Sequence, residues 1–114
     1  GDRRHEFLFD RVFSPEAEQR AVYEEVEPLL PGVLDGLHLC IFAYGQTGAG
    51  KTYTLAGGVS HEEQGIQDLA IAELLRSAEA RSRDSGGAET YEVWLSALEI
   101  YNESIQDLLV DSPP

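Results

Sequence analysis

Apolar and polar residues alternate from Phe7 to Phe13, around aromatic and β-branched types, which predicts a strand. Ser14-Pro15-Glu16 then supplies a helix start, with Ser14 as N-cap and Pro15 in the first helical position. Ala17, Ala21, Val22 and Val26 follow at helical spacing with Glu and Gln between them. Pro28 ends that helix or opens another, because its ring removes an interior hydrogen bond. A second short helix is expected through Leu29, Leu30, Val33 and Leu34, stopped by Gly36.

The run from Leu37 to Ala43 is apolar except for His38, too short for a separate helix, and fits a strand buried on both faces. Gly57-Gly58-Val59-Ser60-His61 reads as a surface loop. Ile66, Leu69, Ala70, Leu74 and Ala78 mark one face of a helix, and Arg76, Arg81 and Arg83 suit its C-terminal end. Asp84-Ser85-Gly86-Gly87 is a turn. Tyr91 to Tyr101 is apolar on both alternating sets and reads as a second central strand, with Ser104 to Leu109 as a last helical turn. Glu99 in that strand is either an edge-facing carboxylate or a buried one with a partner. This order of elements, without repeat or low-complexity segment, predicts an α/β fold whose sheet is covered by flanking helices, in one domain spanning residues 1–114.

Between the apolar run and the next helix lies Gly45-Gln46-Thr47-Gly48-Ala49-Gly50-Lys51-Thr52, a full match to the phosphate-loop pattern. Glycines let the backbone turn so that successive N–H groups face inward as a nest for phosphate oxygens, and the helix that follows adds its unpaired N–H groups. Lys51 is placed to reach the β- and γ-phosphates, and the Thr52 hydroxyl to hold Mg²⁺, an ion that prefers oxygen ligands. A glycine-rich turn matching by accident is the competing explanation. The context argues against it, because the motif follows a strand pattern and opens a helical one.

Charge sharpens this reading. Eight basic residues stand against 21 acidic ones, a net charge of −13, and seven of the eight are arginine. The single lysine is Lys51, at the motif's one lysine position. Such an acidic surface disfavours nucleic acid and anionic lipid as partners, since both need phosphate neutralised by Lys and Arg. No apolar run approaches the ~18 residues of a membrane span, and no signal-peptide pattern is present, so cytoplasm or cytoskeleton is the expected compartment. The single Cys40 agrees with that and reads as a small core residue of its strand. His5, His38 and His61 lack metal-ligand spacing, and Ser14, Ser60, Ser96 and Ser104 lack a nucleophile-elbow context.

Ile41 through Thr54 (Ile-Phe-Ala-Tyr-Gly-Gln-Thr-Gly-Ala-Gly-Lys-Thr-Tyr-Thr) resembles the kinesin phosphate-loop signature, more specific than a general phosphate loop. Three further blocks resemble the same family in order and spacing. They are Phe7-x-Phe9-Asp10-x-Val12-Phe13, then Val22-Tyr23 with Leu34-Asp35-Gly36, and Leu98-Glu99-Ile100-Tyr101-Asn102-Glu103-x-Ile105-x-Asp107-Leu108-Leu109. They disfavour an unrelated phosphate-loop enzyme such as a small nucleotide kinase. The resemblance implies the N-terminal third of a kinesin motor domain, with a phosphate-loop NTPase sheet, that binds ATP and Mg²⁺ and moves along microtubules. By position it implies a phosphate cradle of Gly45, Gln46, Thr47, Gly48, Ala49, Gly50, Lys51 and Thr52. Tyr53 falls where the family packs a side chain near adenine, or else it covers the core.

His38 and Gln67-Asp68 depart from the family pattern. The Ser-Ser-Arg and Asp-Leu-Ala-Gly blocks through which the family senses the γ-phosphate do not occur in these residues, nor do its basic microtubule-binding loops. The expectation is therefore the ATP-binding part of a microtubule motor, not itself a competent motor, with contact to the acidic microtubule surface made elsewhere. The alternative is a truncated or degenerate nucleotide-binding or interaction module without motor activity.

Overall fold

In the computed structural model, residues 4–60 and 63–110 are described. The best-packed part is helical. Helix α1 (Gln19–Tyr23) leads through a 3₁₀ turn (Glu27–Leu29) into α2 (Leu30–Leu34), and these lie on the long helix α4 (Ile66–Asp84). A short helix, α3 (Lys51–Ala56), precedes α4 in the chain and packs against it. Strands β1 (Leu98–Tyr101) and β2 (Ser104–Asp107) form a two-stranded antiparallel hairpin.

Helix α4 follows the sequence pattern closely. Its expected apolar face is its packed face, with Ile66, Ala70 and Ala78 buried and Leu69 and Leu74 packed against the core. Arg81 and Arg83 occupy its last turn, where cations favour the helix dipole. The helix runs one residue into the expected turn, ending at Asp84, and Gly86 and Gly87 then reverse the chain with positive φ. Tyr23 is the centre of the core at 1% exposure, beside Leu30 and Ala70. Its hydroxyl donates to the Leu69 carbonyl at 3.4 Å, and the Arg20 guanidinium lies 5.2 Å from its ring centroid. Desolvation raises the Tyr23 phenol above its ordinary pKa. Farther along, Arg81 joins Asp35 at 2.6 Å, tying the end of α2 to α4.

Three boundaries differ from the pattern. Helix α1 begins at Gln19, because Ser14–Ala17 closes as a turn through the Ala17 N–H to Ser14 carbonyl bond of 3.0 Å. Ser14 is thus not an N-cap; Glu18 holds that position without a side-chain bond. Pro28 is the second residue of the 3₁₀ turn that follows α1, and Gly36, at φ +92°, ends the α2 segment as expected. The Gly57–Ser60 loop is held by a bridge between Gly57 and Gln64, while His61 lies outside the described residues.

The larger difference concerns the sheet. Phe7–Phe13 and Leu37–Ala43 form no ladder among the described residues, whose regular elements are helices and one two-stranded hairpin. A strand is defined by its hydrogen-bonded neighbour, and neither segment has one among the described residues. Phe42 is 87% exposed, and Cys40 is exposed rather than a core residue. Tyr91–Tyr101 is likewise not a buried central strand: only its last four residues pair, and Trp94 is 83% exposed.

The segment after it is a strand, not a helical turn. Tyr101 faces Ser104 across a two-residue turn in which Asn102 and Glu103 both take positive φ, 49° and 64°. That turn matches the twist of a hairpin, and Asn tolerates it best of the non-glycine residues. Glu99, opposite Gln106, is exposed, which settles its two readings as an outward-facing carboxylate. Accessible area measures the consequence of the unpaired segments. It is 10364 Å², against roughly 6,200 Å² for a compact chain of this mass. The radius of gyration is 18.1 Å, where about 13 Å describes a compact domain of this length.

Tyr23→Ala is expected to cost about 3 kcal/mol in chemical denaturation of the helical unit, because it empties the core centre. Tyr23→Phe should cost under about 1 kcal/mol, since only one long hydrogen bond is lost. At Glu73, hydrogen bonds from Arg76 and Ser77 hold the carboxyl below its ordinary pKa. A depressed carboxylate stabilises above its unfolded-state pKa and loses that contribution as pH falls through the folded value. The stability difference between the native chain and Glu73→Gln should therefore be present at neutral pH and vanish in acid denaturation series below the carboxylate range.

Candidate phosphate-binding site

The loop from Gly45 to Gly50 is built from turns and bends and opens directly into α3 at Lys51. Two of its residues need glycine. Gly48 has φ +80° and Gly50, which caps α3, has φ +95°. In that region an L-residue brings its Cβ against its own backbone. A Cβ built on either would meet no neighbour within 4 Å, so the requirement is conformational and the loop face beside them is open. Gly45 differs, because a Cβ there would lie 3.2 Å from the Ala49 Cβ.

Lys51 folds back over the loop. Its ammonium donates to the Gly45 and Gln46 carbonyls, each at 2.7 Å, so the one lysine of the chain staples the loop's entrance to the helix start. The Ala49 N–H also bonds the Gln46 carbonyl, at 3.1 Å, which tightens the reversal. Beside the loop is a cavity of about 480 Å³ lined by Thr47, Gly48, Gly50, Lys51, Thr52 and Tyr53. A second cavity, about 190 Å³, touches Ala43, Tyr44, Ala49, Gly50, Lys51 and Thr54. Contiguous sequence thus brings together all nine expected residues, from Gly45 to Tyr53. Tyr53 is 46% exposed and lines the larger cavity, so it is not a core residue.

The far end of α3 is fixed by groups that the motif does not contain. The Gly57 N–H bonds the Tyr53 carbonyl at 2.9 Å, and the Gln19 side-chain amide donates to the same carbonyl. Gly65, buried at the N-cap of α4, lets the Leu55 carbonyl come close; a Cβ would collide with it. Gln19 carried no signal in the sequence beyond its place on the polar side of a helix.

The donor set suits an anion with a cation carried alongside it. Lys51 is the cavity's one charged side chain, and Thr47 and Thr52 bring neutral hydroxyls. Among the described residues no group of three His, Cys, Asp or Glu side chains could hold a metal unaided. A Mg²⁺ ion fits here only as an ion that arrives with phosphate oxygens and waters as most of its ligands, with Thr52 able to add one more.

This loop and this helix start match the phosphate-loop pattern, and comparison with known proteins identifies the family. Residues 1–114 match the kinesin motor domain. The chain is 45% identical over 113 residues to kinesin-like protein KIN-14L of Arabidopsis thaliana, covering 97% of this chain and 11% of that protein. It is 44% identical over 110 residues to kinesin-like protein KIN-14F of Oryza sativa subsp. japonica, covering 95% of this chain and 10% of that one. With kinesin-like protein KIFC1 of Mus musculus the identity is 46% over 112 residues, 96% of this chain and 16% of the mouse protein. This chain belongs to the kinesin motor domain family. It spans about a tenth to a sixth of the length of these curated relatives.

Gly50→Ala should raise local opening of α3, with a cost of about 1–2 kcal/mol from backbone conformation alone. Amide exchange of residues 51–57 reads this, and equal exchange in both proteins would contradict the geometry.

Proposed function

We propose that this chain is the ATP-phosphate-binding part of a kinesin-like motor that couples ATP hydrolysis to movement along microtubules. The observation that carries the proposal is the Gly45–Thr52 loop, with Gly48 and Gly50 at positive φ and the chain's only lysine leading α3. In this reading Gly45 through Thr52 cradle the phosphates, Lys51 exchanges its two loop carbonyls for β- and γ-phosphate oxygens, and Tyr53 lies beside the base. Thr52 would hold Mg²⁺, whose chemistry when bound is to neutralise charge on the phosphates. Membership of the family supports the microtubule as partner and the cytoskeleton as location. It also supports a phosphate-loop sheet in which Phe7–Phe13, Leu37–Ala43 and Tyr91–Tyr101 are strands of the assembled motor.

A second reading, nucleotide binding without motor activity, has its own support. The loop's two cavities are lined by no carboxylate or arginine, whereas phosphoryl transfer needs a positioned water and charge stabilisation beyond the cradle. By themselves these 114 residues are therefore expected to bind nucleotide and not to turn it over, with or without microtubules.

Equilibrium titration with a fluorescent ATP analogue and Mg²⁺ tests the site. Lys51→Ala should weaken binding by at least roughly tenfold, the loss of a charge-assisted contact. Equal affinity in the two proteins would remove Lys51 from the site. Microtubule-stimulated ATP turnover by these residues would refute the expected division of labour.

A further inference from the structure

We infer that Gln19 is a positioning residue for the phosphate loop, acting through the Tyr53 carbonyl; the inference rests on the nucleotide-binding reading of that loop. Gln19 is the first residue of α1, and its side-chain amide donates to the Tyr53 carbonyl 34 residues away in sequence. Helix α3 has only six residues, so its own hydrogen bonds fix it weakly. Its placement comes from outside. At its start, Lys51 reaches only the loop's own Gly45 and Gln46 carbonyls, which ties loop to helix and neither to the core. At its end, the Gly57–Gln64 bridge ties it to the approach of α4.

The packing of α3 on α4 and the approach of the Leu55 carbonyl to Gly65 hold the same end, and Gln19 adds a tie to α1. One turn on in α1, Tyr23 sits in the centre of the core. Tyr53 has its side chain on the larger loop cavity and its carbonyl on Gln19, so a single residue joins α1 to the wall of the site. Because Lys51 and Thr52 precede Tyr53 in the same short helix, rotation of α3 about its axis would carry both away from a phosphate in the cradle. The Gln19 bond opposes that rotation. Gln19 touches no residue of the loop itself through this bond and is not a catalytic group.

The test uses the full chain with Gln19→Leu, which keeps most of the volume but has no donor, and Gln19→Lys, which restores a donor of similar reach. Amide exchange is followed over residues 51–57 and, as internal reference, over 66–84, alongside titration with the fluorescent ATP analogue and Mg²⁺. The expected result is faster exchange in 51–57 alone for Gln19→Leu, with affinity weakened about fivefold, the worth of one hydrogen bond, and both recovered in Gln19→Lys. Unchanged exchange in 51–57, or acceleration that extends equally through 66–84, would overturn the inference. So would local acceleration with unaltered affinity, provided that Lys51→Ala abolishes binding. If the native chain shows no Lys51-dependent binding, the nucleotide reading falls on its own, and the exchange of 51–57 still upholds or overturns the tie.

Discussion

The packing of α1, α2 and α3 on α4 is the constraint from which the ordered part of this chain follows. Tyr23 packs beside Ala70, a small residue that leaves room for an aromatic ring, and Leu30 closes the other side. The hydroxyl of Tyr23 remains usable in this position because the Leu69 carbonyl lies within its reach. A buried phenol without an acceptor would carry a desolvation cost comparable to the packing it brings. Helix α3 is attached to this unit twice: α4 receives its end at Gly65, and Gln19 of α1 donates to the Tyr53 carbonyl.

The loop itself is organised by different forces. Hydrophobic burial contributes little, since residues 45–50 are all exposed. Its shape comes from two positive-φ glycines and from the Lys51 ammonium bonded to two of the loop's carbonyls. That arrangement leaves Lys51 satisfied in a chain of net charge −13, where several carboxylates could otherwise attract it.

The apolar segments beside this unit behave differently. Phe42 and Trp94 are large, hydrophobic and exposed, and each belongs to a run that the sequence marks for burial on both faces. Their exposure has one cause: a strand gains its hydrogen bonds and its two covered faces only from neighbouring strands, and none pairs with them among the described residues. The hairpin escapes this limit because its partner is two residues away and its turn is local.

Much of this was legible in the residues alone. The 3.6-residue period over Ile66–Ala78, the stop at Gly36 and the whole loop from Gly45 to Tyr53 were readable because helix periodicity, glycine's conformational range and phosphate-nest chemistry are local properties. The identity of the family was legible for the same reason, being written in contiguous blocks. Pairing was not. Whether Leu37–Ala43 lies in a sheet, whether Ser104–Asp107 is a helical turn or the second arm of a hairpin, and whether Gln19 faces solvent or the Tyr53 carbonyl depend on residues distant in sequence. Tertiary structure decided these, because the energy of a ladder or a cross-chain hydrogen bond belongs to both partners and is carried by neither sequence segment alone.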